Sequence, residues 1–209
     1  MYIRKKNLLL LPLLFSVFIF SKNIEEVVVK GEFREKSISE EDSSISIISS
    51  ERIKSKAIKH FQQLSYLLPN LNYAASDSRA RYFQIRGIGE RSGYQGTPNS
   101  SVGFLIDDID YSGQGGIATL FDVDQVEVYR GPQGSRTGAN ALAGLIYIKT
   151  KDPTDKFEGT SELTFGDYGT QNIGVAFGGP LKNEKIKYRF VMRTDYADGF
   201  RKNTYLNKS

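Results

Sequence analysis

The chain has 209 residues, no cysteine, no tryptophan, one histidine and a formal net charge of +4. Without cysteine there is no disulfide, thiolate nucleophile or thiolate-bound metal, and His60 alone cannot build a multi-histidine zinc site. The small excess of Lys and Arg is spread along the chain, so no basic stripe marks a nucleic-acid binder, while 20 glycines with 12 Tyr and 13 Phe suit a β-rich, loop-rich protein.

In chain order, residues 1–21 read as a secretory signal peptide, with Arg4, Lys5 and Lys6 as the charged start and Leu8 to Phe20 as the apolar run. About 13 apolar residues fall short of the roughly 20 that a membrane-crossing helix needs, so cleavage is favoured over an anchor. Ile24 to Gly31, IEEVVVKG, is a short β-prone run, and Glu32 to Ser44 is charged and hydroxyl-rich, the composition of a mobile linker. Ile45 to Ile48 predicts a strand, with Ser49 or Ser50 capping a helical turn from Glu51. Phe61, Leu64, Leu67 and Leu68 are spaced as on a helix that Pro69 ends. His60 before them is a surface or cap residue. Leu71 to Tyr73, Phe83 to Gly87 and Val102 to Ile106 predict further strands.

Three polar, glycine-rich loops separate these strands: Ala74 to Arg81, Glu90 to Ser101 and Tyr111 to Gly116. Asp107, Asp108 and Asp110 invite a calcium reading, but the glycine and distal glutamate of an EF-hand loop are missing, so no metal is assigned. Gln125 to Thr150 holds two strand-like runs around a bend punctuated by Gly131, Pro132, Gly134, Gly138 and Gly144. A phosphate-cradling loop would need a lysine where Ser135 and Arg136 stand, which leaves a shaped structural turn. Past Asp152 and Pro153 the pattern changes. Residues 159–166, 170–178 and 187–195 alternate apolar and polar side chains, as the strands of a soluble meander or of a membrane barrel do, and 199–209 is polar.

The run LFDVDQVEVYRGPQG at 120–134, continuing through GANALAG at 138–144, resembles without a gap the signature of the plug domain of TonB-dependent outer-membrane receptors. The resemblance is sharpest from Phe83 to Pro153. It implies an α+β plug domain at 45–152, with a mixed four-stranded sheet and short helices. The first antiparallel strands of a transmembrane β-barrel would follow at 153–209, incomplete in this chain. Plugged barrels need about 22 strands and the smallest closed ones 8, so three or four strands predict the amino-terminal part of a longer receptor.

By the same resemblance, 22–44 holds a Ton-box-like segment and its linker. Ile24, Glu25, Glu26, Val27, Val28, Val29 and Lys30 would hang free below the plug and pair with a TonB-type coupling protein in the periplasm, with Lys30 where a small hydroxylated residue is usual. The apical loops would present Arg79, Arg81, Arg91, Tyr94, Gln95, Tyr111 and Gln114 to the captured ligand. Arg79 and Arg81 together would suit an anionic one. Arg86, Glu127 and Arg130 would meet the barrel wall and stand exposed where that wall is incomplete. The implied protein is no enzyme and carries no cofactor. It is a monomeric outer-membrane transporter, with lipid and a small-molecule ligand as its other partners, for a scarce nutrient such as a ferric siderophore. Vitamin or carbohydrate uptake, and a secreted β-rich binding or adhesion module, are the alternatives. A periplasmic hydrolase lacks a nucleophile with a positioned base.

Overall fold

The computed structural model describes residues 27–31, 36–38, 43–75, 79–93, 99–182 and 185–198. The signal peptide, Ile24, Glu25, Glu26, Tyr94, Gln95 and the polar segment 199–209 lie outside them.

Two short strands come first, β1 (Val28–Val29) and β2 (Lys36–Ser37), paired antiparallel. Next is β3 (Ser44–Ser49), leading straight into helix α1 (Ser50–Ser55). Ser49 occupies the cap position, but its side chain makes no cap hydrogen bond. The predicted helix after His60 is a 3-10 helix, Phe61–Tyr66. His60 caps it: its ring accepts from the Gln62 N–H while the Gln63 side chain accepts from the His60 N–H. The histidine is 4% exposed, so the cap reading holds and the surface reading does not.

β4 (Leu71–Ala75) and β5 (Ala80–Ile85) form a separate hairpin. Then come β6 (Val102–Ile106), β7 (Ile109–Asp110), β8 (Val123–Arg130), the short α2 (Gly134–Thr137) and β9 (Gly144–Thr150). The central sheet runs β3-β8-β9-β6-β7, parallel between β6 and β9 and antiparallel elsewhere. The mixed sheet thus has five strands, not four. The extra one exists because Asp107 and Asp108, both at positive φ, reverse the chain tightly enough for Ile109 and Asp110 to pair back on β6.

Alternation along β8 and β9 gives the sheet two faces. Val126, Val128, Ile146 and Ile148 join the main core under α1, the 3-10 helix and the β4–β5 hairpin. Its centre is three rings: Phe61 meets Phe83 edge-on at 4.9 Å and Phe104 at 5.5 Å, while Phe83 and Phe104 stack. The opposite face carries Tyr129, Leu145, Tyr147 and Leu105, and Val29 of β1 is buried against it.

Where β9 begins beside the end of β8, a Cβ on Gly144 would overlap the Tyr129 carbonyl oxygen and lie 2.7 Å from Ile85 Cδ1. Backbone cannot step aside as a side-chain tip can. Gly144→Ala is expected to destabilise the chain by about 3 kcal/mol, read from its denaturant midpoint; a change within the error of that midpoint would show that the register is not set there.

The last three strands, β10 (Glu158–Gly166), β11 (Thr170–Pro180) and β12 (Lys187–Tyr196), form their own antiparallel sheet. Register puts Glu162, Gly174 and Arg193 side by side on the face toward the plug, with Ala176, Gly178 and Arg189 on the same face. The other face carries Leu163, Phe165, Ile173, Val175, Phe177, Phe190 and Met192. An apolar outer face backed by a polar inner one is the arrangement of a barrel wall between lipid and lumen.

Candidate functional site

Three groups of residues converge around the central sheet. The first holds the amino-terminal segment. Gln125, Glu127 and Tyr129 alternate with valines along β8, so their side chains share the face covered by Val29. The Glu127 carboxylate, fully buried, accepts from the backbone N–H of Lys30 at 2.6 Å and of Gly31 at 2.8 Å, and from the Tyr129 hydroxyl at 2.6 Å. Gln125 Nε2 donates to the same carboxylate and, at 3.0 Å, to the Val28 carbonyl. Lys30 Nζ pairs with Asp124 at 2.7 Å. Glycine at 31 makes this close approach possible, since a Cβ there would overlap the Tyr129 hydroxyl, stand 2.5 Å from the Glu127 carboxylate and push these side chains aside.

Two expectations are corrected by this arrangement. The described part of the Ton-box-like segment, Val27, Val28, Val29 and Lys30, does not hang free; it is paired to β2 and clasped by β8. Glu127 is not exposed, since backbone donors from that segment satisfy it. The sequence signal was present in the polar alternation of QVEVY and in the glycine after VVVK.

The second group is the candidate ligand face. Arg81 Nε donates to the Gly113 carbonyl at 3.0 Å, which ties β5 to the loop carrying Tyr111 and Gln114. That loop is itself closed by the Gln114 N–H on the Tyr111 carbonyl at 2.9 Å. A Cβ at Gly93 would lie 2.9 Å from the Tyr82 hydroxyl, and one at Gly113 would touch the same ring, so Tyr82 stands between the loop of Arg91 and the loop of Gln114. Arg81, Tyr111 and Gln114 are brought together, and Arg91 lies two residues before Gly93, which meets the Tyr82 hydroxyl. Arg79 is exposed at the bend just before β5. Tyr82, which also lies under the Arg81 guanidinium at 5.3 Å, was missed in sequence because it reads as an ordinary strand aromatic.

The third group is the pair Arg86 and Arg130. Arg130 is 8% exposed, against the expectation of an exposed charge, because its guanidinium folds back to donate to Ser46 Oγ at 3.0 Å and the Pro69 carbonyl at 3.3 Å. Burial, and after it the charge of Arg86, draws the Arg130 pKa below the ordinary guanidinium value. Arg86 is exposed and sits at φ +53°. Neither forms an ion pair among the described residues.

The aspartates that invited a calcium reading do not converge. Asp107 accepts from the Thr150 N–H, Asp108 pairs with Arg136, and Asp110 accepts from the Ser112 N–H and Asn140. No group of three or more potential metal ligands occurs among the described residues.

The profile described as the TonB-dependent Receptor Plug Domain matches residues 37–145, more than half of the chain. Among curated proteins, the pesticin receptor of Yersinia pestis is 28% identical over 83% of this chain and 25% of its own length. The ferripyoverdine receptor of Pseudomonas aeruginosa is 24% identical over 66% of this chain and 16% of its own. The vitamin B12 transporter BtuB of Vibrio vulnificus is 30% identical over 42% of this chain and 14% of its own. The chain thus spans a quarter or less of these relatives. Among solved structures, the ferripyoverdine receptor of Pseudomonas aeruginosa bound to ferripyoverdine superposes with a TM-score of 0.67 at 20% identity, over 81% of this chain and 22% of that one. The alcaligin receptor FauA of Bordetella pertussis gives 0.66 at 18% identity, over 82% and 29%.

Proposed function

Since the chain belongs to the plug-domain family of TonB-dependent receptors, we propose that it forms the plug and the opening barrel strands of an outer-membrane transporter, with its amino terminus in the periplasm. The cargo is a scarce nutrient, a ferric siderophore or other iron complex in the first instance, since the relatives include receptors named for ferripyoverdine and ferric enterobactin. Vitamin uptake is the second reading, favoured by the vitamin B12 transporter among them. The observation that carries the transport reading is the order of the two sheets: a plug sheet is followed at once by strands whose plug-facing side bears Glu162, Arg189 and Arg193 and whose outer side is apolar.

In this reading Ile24, Glu25, Glu26, Val27, Val28, Val29 and Lys30 are the segment that the energy-coupling protein takes up as an added strand. Arg79, Arg81, Arg91, Tyr94, Gln95, Tyr111 and Gln114 face the ligand. Arg86 and Arg130 await carboxylates of the barrel wall: such a partner would answer a buried cation that meets no carboxylate among the described residues and the exposed cation of Arg86, which the tight turn between Ile85 and Ile88 presents.

Uptake of radio-labelled iron complexes by cells carrying the complete receptor tests this. Val28→Pro is unsuitable, because Val28 is in register with Ser37 and its change would disturb β1 as well as the coupling partner. Val27, 46% exposed, keeps its carbonyl bond to the Ile38 N–H when replaced by proline. Val27→Pro is expected to lower uptake about ten-fold or more while surface binding stays within about two-fold, since proline removes one main-chain donor from the added strand. Uptake at the unmodified rate would refute the coupling role, and failure of every iron complex and vitamin tried to bind would refute the transporter reading.

A further inference from the structure

A turn on the plug that sequence reading gave no role makes the firmest contact with the strands beyond Pro153. Asp122 sits at φ +60° just before β8, and its two carboxylate oxygens accept from Nε and Nη2 of Arg189 on β12, a bidentate pair at 2.5 Å for each bond. The side chains of Arg189 and Asp122 are only 11% and 5% exposed. Next to them the Phe121 ring fills a notch that Gly174 leaves on β11, where a Cβ would lie 2.7 Å from the ring, and Arg193 stacks over the same ring at 5.6 Å. Lys59 pairs with Glu162 on β10.

These points form one unit. The Leu120 N–H donates to the Lys59 carbonyl at 2.9 Å, and the Lys151 N–H, on the link between plug and strands, donates to the Asp122 carbonyl at 3.2 Å. A non-glycine residue held at positive φ and a desolvated, two-pronged ion pair are costly features that surrounding structure has to enforce. An aromatic plug in a glycine notch fixes position along the strand as well as distance from it.

We propose that Phe121 and Asp122, with Lys59 beside them, are the positioning residues that seat the plug against the barrel wall and so keep the closed pore sealed. The inference rests on the reading of β10, β11 and β12 as barrel strands. The bidentate pair sets the angle of the turn, the ring sets its height on β11, and the backbone bond to Lys151 carries that position into the link.

The test uses the complete receptor in cells, with Asp122→Arg, Arg189→Asp and the double exchange. Barrel folding is followed by heat-modifiable mobility in the outer-membrane fraction, and sealing by entry of a large hydrophilic antibiotic that the unmodified receptor excludes. Each single reversal is expected to leave the barrel folded and to raise antibiotic entry about ten-fold, and the double exchange to return it to within about two-fold, the signature of directly coupled residues. Gly174→Val, which leaves every charge in place and expels the Phe121 ring, is expected to leak in the same way. If a reversal prevents folding of the barrel, Arg189→Lys decides, because it keeps the charge and loses the second prong: leakage upholds the seat and an intact seal overturns it. A folded barrel with tight single variants, or a double exchange that fails to recover, overturns the seat alone. Absence of any heat-modifiable barrel from the unmodified protein overturns the barrel reading together with the seat.

Discussion

Glu127→Ala is expected to release the amino-terminal segment from the plug. Its carboxylate gathers the backbone N–H groups of Lys30 and Gly31, the Tyr129 hydroxyl and Gln125 Nε2 in a site with no solvent access. A buried donor that loses its acceptor costs about 1–3 kcal/mol, and the variant withdraws one acceptor from all four at once, so the site could not stay dry. The least costly response is for residues 27–31 to lift away and let water satisfy all of them. That movement exposes Val29, and losing the burial of one valine side chain weakens the docked state by about a further 1.5 kcal/mol or more. Hydrogen exchange at the Lys30 and Gly31 amides should therefore accelerate by roughly 100-fold, equivalent to about 2.7 kcal/mol. Glu127→Gln, which keeps the shape and one acceptor oxygen, should fall between the two. In the transporter reading the released variant would engage the coupling protein without ligand, measurable as co-purification. Unchanged protection at Lys30 and Gly31 would show that the segment is held by its pairing with β2 and not by β8.

The paired strands were legible in the sequence because alternation is a local property. Val126 and Val128 against Ile146 and Ile148 declare a core face without knowledge of any neighbour. The three strands after Pro153 were found in the same way, by their period. What local pattern cannot supply is the partner. Glu127 looked like a surface charge because its donors come from Lys30 and Gly31, almost a hundred residues away. Asp122 was given no role because its partner Arg189 lies four strands further along the chain, on β12. The fifth strand escaped because two residues are too few to show a period. For His60 the surface and cap readings stayed side by side because the usual capping residues are Ser, Thr, Asp and Asn, whereas here the imidazole nitrogen accepts in their place. The spacing of Phe61, Leu64, Leu67 and Leu68 does not separate an α-helix from a 3-10 turn over so short a run; the burial of Phe61 and Leu64 is compatible with either.

Phe61→Ala is expected to be the most damaging single change in the main core. Phe61 is fully buried and is the ring that both Phe83 on β5 and Phe104 on β6 meet edge-on, so it joins the 3-10 helix to the separate hairpin and to the central sheet at once. Removing it forfeits the transfer energy of the ring and leaves a cavity that the stacked pair of Phe83 and Phe104 cannot fill without giving up its own contact. Substitutions of this kind cost about 3–5 kcal/mol, a large share of the roughly 5–15 kcal/mol that holds a domain together. The damage should reach the candidate ligand face. Phe83 is packed so closely on the loop after Gln114 that a Cβ on Gly115 would overlap its ring, and the same loop accepts the Arg81 bond through Gly113. When Phe83 loses its neighbour, the spacing of Arg81, Tyr111 and Gln114 loses its support. Phe61→Leu, which refills most of the volume, should retain most of the stability. Denaturant unfolding of the chain measures this directly. A Phe61→Ala midpoint displaced by less than about 1 kcal/mol would mean that the hairpin and the sheet are joined by some other contact.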